Sequence, residues 1–299
     1  MSRIIPRDMI KHLEWTPGKE LPESPKIDFE LIKVNFTIEE LIKNGKPFYS
    51  NKQDSQGNSI GVADSLQQAE TYAGSEGMIA SMPQLIAGKS LTNKESYLWK
   101  DWFTALSQEN IGIDRKGTLV KAGSPVVVTV HGGGILSYGR ILDAYGDGLT
   151  PQSAAKLSEE EFSLLLKGTL PDGRSIPIYR IEDVQRGYIP HPFGVFGVAM
   201  DFETAKSTKN GQQQKKEFMK NPVVIARSGT LDYLDAYFDK AKNSNLVGNY
   251  HRYAEIDPSI PQGRLLFVDI TYIGLFGYNY LYNYGRFVGV APEVQARKK

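Results

Sequence analysis

The sharpest chemical signal in the chain is His131, followed by Gly132, Gly133 and Gly134. A neutral imidazole offers one donor and one acceptor, and glycines beside it let a ligand or another backbone come close. Two further stretches invite the same question. Phe196 stands between Gly194-Val195 and Gly197, and Asn283-Tyr284-Gly285-Arg286 opens a late apolar run. The remaining histidines, His12, His191 and His251, lie far from His131 and make no HxH or HxxxH pair, so no metal site is expected. With 0 cysteines, disulfides, thiolate metal sites and cysteine nucleophiles are excluded.

These motifs resemble those of ADP-ribosyltransferases of the poly-ADP-ribose polymerase type. Val130-His131-Gly132, then Ile135-Leu136 and Asp147-Gly148-Leu149, is similar to the first motif of that family, and Gly194-Val195-Phe196-Gly197-Val198-Ala199 to the second. The resemblance covers residues 118–292. It implies that His131 binds a ribose hydroxyl of NAD, that the backbone of Gly132 holds the carboxamide, and that Phe196 stacks on the nicotinamide. His131 and Tyr284 would then be the catalytic pair. The family places a glutamate where Tyr284 stands, and tyrosine cannot supply the charge that stabilises a cationic sugar. The resemblance therefore implies an ADP-ribosyltransferase-like domain that binds NAD or a related nucleotide, with transfer activity in question.

Two other readings use the same residues. His131-Gly132-Gly133-Gly134 after a strand also resembles the oxyanion-hole segment of lipases and esterases, but no GxSxG nucleophile elbow occurs in the chain. The run Tyr278-Asn279-Tyr280-Leu281-Tyr282-Asn283-Tyr284 supports a non-enzymatic alternative, a structural or interaction protein that meets a protein partner or a second copy of itself there. Tyrosine gives rigid amphipathic contact area. The alternative for the same run is a half-buried strand and turn.

Several elements must position these groups. The β-branched run 126–130 reads as a buried strand that delivers His131, with further central strands at 195–200 and 223–226. Additional strands are expected at 176–181, 265–273 and 286–290. Capping boxes at Thr37/Glu40, Thr92/Glu95 and Ser158/Glu161 predict three helix starts. The second would carry Leu98, Trp99, Trp102, Phe103 and Leu106 as one apolar stripe. Helices are also expected at 63–73, 201–206 and 230–242, and one starting with Thr150 as N-cap and Pro151 at the first helical position. The pattern predicts an α+β fold. A mainly helical N-terminal region, 1–117, precedes a domain with a mixed, largely antiparallel sheet, 118–299, which holds the His131 cleft.

Composition bounds the partners. A net charge of +1 over 299 residues gives no clustered basic excess of the kind nucleic acid demands, and Arg297-Lys298-Lys299 reads as solvated surface. No apolar run approaches the ~18 residues of a membrane span, and the first residues lack the apolar segment of a secretory signal. The expected location is cytoplasmic.

Overall fold

The computed structural model describes residues 37–189, 191–242, 245–269, 274–278 and 280–292, all within the compact unit Val34–Lys299. His12, Asn279, the first residues and the Arg297–Lys299 cluster lie outside the described residues. The architecture is α+β with mostly antiparallel pairing. In chain order the strands are β1 (Gly45–Ser50), β2 (Met78–Ile79), β3 (Phe103–Asp114), β4 (Ser124–His131), β5 (Ala155–Lys156) and β6 (Ile178–Arg180). They continue as β7 (Phe196–Asp201), β8 (Gly211–Gln214), β9 (Leu246–Tyr250), β10 (Gln262–Asp269), β11 (Gly274–Phe276) and β12 (Gly285–Val290).

Among the described residues the main sheet has nine strands in the order β6-β7-β4-β3-β10-β11-β9-β8, with β5 paired to the start of β10. Only β6 with β7 and β9 with β11 run parallel there. The smaller antiparallel sheet, β1-β12-β2, lies under helix Gly61–Ala73. It is stitched to the main sheet where Ala80 N–H donates to Val288 O and Leu106 N–H to Ala80 O.

The β-branched run behaves as its composition requires. Val126, Val127, Val128 and Val130 are all at 0 % exposure, because β4 sits between β3 and β7 and is covered on both faces. The capping boxes at Thr37 and Ser158 start helices Ile38–Asn44 and Glu159–Leu166. Asp201 caps helix Phe202–Ser207, and helix Leu234–Ala241 buries Leu234, Tyr237, Phe238 and Ala241.

Three expectations are corrected. Residues 223–226 form a helix, Pro222–Ser228, because Asn221 accepts from the backbone N–H groups of Val223 and Val224, Pro222 opens the first turn, and Gly229 closes it in the left-handed region at φ +66°. End signals outweigh the strand preference of Val-Val-Ile. The Thr92/Glu95 box does not form either, since Thr92 ends helix Met82–Leu91, and Ser96 caps only the four residues Tyr97–Lys100. The chain then enters β3, so the apolar stripe is divided between a helical turn and a strand. Trp99 stacks on Tyr237 at 6.0 Å in the core, whereas Trp102 stays half-buried at the surface. Thr150-Pro151 makes a turn in place of a helix start, with Thr150 O accepting from Ser153 N–H.

Candidate recognition surface

β4 brings His131 to the end of the sheet opposite Phe196 of β7, their rings 4.9 Å apart, as the motif reading expects. Both side chains are nevertheless enclosed, at 0 % and 1 % exposure. The backbone N–H of Met82 donates to Ser107 Oγ, Ser107 Oγ lies 2.9 Å from His131 Nδ1, and His131 Nε2 lies 2.9 Å from Ala226 O. Because a carbonyl only accepts, Nε2 carries the proton and Nδ1 accepts from the serine. Burial holds the imidazole neutral, down to about 4, against the opposing pull of the Ala226 carbonyl and Glu109. Neither ring nitrogen is left for a ligand. The glycines are committed too, because the N–H groups of Gly132 and Gly133 both donate to Leu106 O, at 2.9 and 3.2 Å, which removes the oxyanion hole. Gly132, at φ +74°, still lines a cavity of about 290 Å³ with Glu70, Met78, Gln84 and Phe193.

Tyr284 belongs to a different assembly. The outer faces of β9, β11 and β10 place Tyr250, Phe276 and Phe267 in adjacent register positions, and their rings stack in turn at 4.5 Å. Tyr278 meets Phe276 and Phe267 edge-on at 5.7 and 6.3 Å. Tyr280 follows at 5.9 Å from Tyr278, and Tyr282 at 5.6 Å from Tyr280. On the other flank Trp102 packs on Phe267 at 6.4 Å and on Tyr284 at 5.2 Å, and Tyr284 reaches Tyr49 of β1 at 6.1 Å. Such ring pairs add about 0.5–1.5 kcal/mol each where they are enclosed, and less at the half-exposed Tyr282 and Tyr284 edge. Together they form one continuous aromatic surface. Two guanidiniums lie over it: Arg252 is 4.9 Å from the Tyr278 centroid, and Arg286 is 4.9 Å from Tyr49 and 5.3 Å from Trp102.

Among the described residues of the tyrosine run, burial alternates. Leu281 is fully buried, its N–H donating to Ser153 O and its carbonyl accepting from Tyr145 Oη at 2.6 Å, while Ser59 Oγ donates to Asn283 O. The flanking tyrosines face outward. Tyr282 and Tyr284 are 52 % and 44 % exposed, Tyr49 is 46 % exposed, and Tyr280 is half-buried.

Beneath this surface lies an ion network that no sequence pattern announces. Glu109 of β3 accepts from Arg227 Nε at 2.7 Å and Tyr253 Oη at 2.9 Å on one oxygen, and from Arg264 Nη2 of β10 at 2.9 Å on the other. Burial pushes the carboxyl up, but the two guanidiniums more than reverse it and hold it at about 2. Arg227 Nη1 donates onward to Asn249 Oδ1 and to the carbonyls of Tyr250 and Leu275. One side chain therefore ties together the strands that present the aromatic base. Gly277 is required beside it, because a Cβ there would fall on the Arg227 guanidinium.

A solved structure described by the words "Accommodation of massive sequence variation in Nanoarchaeota by the C-type lectin fold" is similar to this chain at 28% identity. The likeness covers 82% of this chain and 97% of that one, with a TM-score of 0.60. No protein-family model and no curated protein matches. Similarity to a C-type lectin fold overturns the ADP-ribosyltransferase reading, and with it the transferase and NAD-binding function drawn from the motifs at His131 and Phe196. The hydrolase reading falls with the committed N–H groups of Gly132 and Gly133. Short glycine-rich motifs misled because His-Gly at the end of a valine strand is equally what a buried strand needs when it turns out of a core. Among the described residues no helix is long and apolar enough to cross a membrane, and no group of three or more histidines and carboxylates is placed to hold a metal ion.

Proposed function

We propose that this chain is a non-catalytic recognition domain that binds a protein partner through the aromatic surface of Tyr49, Trp102, Tyr278, Tyr280, Tyr282 and Tyr284. The observation that carries this reading is the continuous chain of ring contacts with three tyrosines 44–52 % exposed at its outer edge. Tyrosine, tryptophan and arginine are enriched at protein–protein hot spots, the two aromatic ones because they bury large rigid area at small entropic cost and keep a polar group for orientation. The similar C-type lectin fold is described as accommodating massive sequence variation. In this chain the place for such variation is the outward half of the tyrosine run, which contributes no buried side chain to the core.

The test is affinity purification of the partner from the source extract, followed by titration of that purified protein into wild type and the Tyr49→Ala/Tyr282→Ala/Tyr284→Ala variant. Loss of the three exposed anchors is expected to weaken binding by at least about tenfold. A partner that binds the variant as tightly as wild type, or a protein that binds only glycans on an array, would contradict the reading. Light scattering on the eluted wild type identifies the case in which the partner is a second copy.

A further inference from the structure

The aromatic surface is electrostatically lopsided, and the asymmetry indicates its partner's chemistry. Under the Tyr278–Tyr280 end lie two guanidiniums, Arg227 and Arg264, at 0 % and 2 % side-chain exposure, with the single Glu109 carboxylate between them. His251 stacks on Tyr253 beside this group and is held neutral, to about 4, mainly by its burial and next by Arg227. Arg227 Nη2 and Arg264 Nε and Nη1 have no hydrogen-bond acceptor among the described residues. Two buried guanidiniums thus face one carboxylate, an excess of one positive charge beside Gly277, the residue before Tyr278. A charge in such surroundings is weakly screened and projects toward the nearest surface.

At that surface Arg252 lies over both Tyr278 and Tyr280, 4.9 and 5.4 Å from their centroids. Its carboxylate partner is Glu255 at 3.3 Å, an exposed pair of adjacent turns that water and salt weaken. Asp269 sits at the far end of β10, where it acts on Lys89. The opposite end of the surface differs, because Arg286 is already ion-paired with Asp101.

We infer that the protein segment recognised by this surface presents a carboxylate, seated over Tyr278 and Tyr280 against Arg252 and above the buried Arg227–Arg264 pair. The inference rests on the recognition role proposed above. An acidic side chain there gains a charge-assisted bidentate partner in Arg252 and the field of the buried excess, while aromatic surface covers its neighbours. Neutral or basic segments gain only the second.

A phage-displayed random dodecamer library selected on the full chain, with Tyr282→Ala/Tyr284→Ala protein as counter-selection, tests this. The expected result is enrichment of peptides bearing Asp or Glu. Their binding falls about tenfold with Arg252→Gln, rises a few-fold with Glu255→Gln, and weakens as salt rises from 50 to about 500 mM. Enriched peptides without an acidic excess that still depend on Tyr282 and Tyr284 would overturn the carboxylate inference and leave the surface standing. Peptides that bind the counter-selection variant equally, or no enrichment at all, would overturn both.

Discussion

Replacing Glu109 by glutamine keeps the shape of the buried network and removes its only negative charge. The carboxyl is held from 4.5 down to about 2 by Arg227 and Arg264. At about 1.4 kcal/mol per tenfold, this preference for the charged form is worth roughly 3 kcal/mol, and the variant also leaves two guanidiniums buried without a counter-ion. Breaking a buried pair from one side costs about 3–5 kcal/mol, so Glu109→Gln is expected to lose that much of a total that is only about 5–15 kcal/mol for most domains. Equilibrium urea unfolding at pH 7, followed by far-UV circular dichroism, measures it. Because the folded carboxyl titrates below its unfolded value, the stabilisation is fully present above about pH 4.5 and is lost as pH falls through about 2. The wild-type and variant curves should therefore converge toward pH 2. A cost under about 1 kcal/mol at pH 7, or a gap that stays constant down to pH 2.5, would refute the reasoning.

Two further outcomes follow from buried bases. Lys89 lies fully buried in helix Met82–Leu91, with no carboxylate in hydrogen-bond contact among the described residues, its ammonium donating to Leu98 O and facing Trp99, and desolvation lowers it to about 7. Its charge penalty is absent above about pH 10.5 and grows as pH falls to 7. Lys89→Met should therefore stabilise the fold by roughly 2–4 kcal/mol at pH 6 and by almost nothing near pH 10, and urea unfolding at both values checks it. His131 is held neutral in the fold, so the unfolded state takes up its proton first. Wild-type stability should fall between about pH 6.5 and 4, and a shallower fall in His131→Gln would assign roughly 3 kcal/mol of it to this ring.

What the sequence discloses is local. The valine run and the boxes at Thr37 and Ser158 each declare themselves within a few residues, because side-chain period and cap chemistry act at that range, whereas the tyrosine run leaves a contact surface and a half-buried strand equally open. Residues 223–226 show the limit of composition: Val-Val-Ile favours a strand, and Asn221-Pro222 with Gly229 decides for a helix. The stripe at 98–106 shows the limit of periodicity, since aromatic residues at helical spacing also suit a turn of helix followed by a strand. The aromatic surface was legible only in its Tyr278–Tyr284 part. Tyr49 and Phe267 join it through strand register, Trp102 and Arg252 from segments next to strands, and Glu109, Arg227 and Arg264 meet across separations of 118 and 155 residues. Nothing in a linear pattern encodes such convergence.

The central claim, that outward tyrosines serve recognition and not folding, is tested most directly by one paired measurement on Tyr282→Ala/Tyr284→Ala. Thermal unfolding and partner affinity are recorded on the same preparation. Both side chains are about half exposed and lie outside the buried clusters, so each substitution should shift stability by less than about 1 kcal/mol. Affinity for the purified partner should fall about tenfold or more. Unchanged affinity, or a stability loss that accounts for the lost binding, would contradict the account.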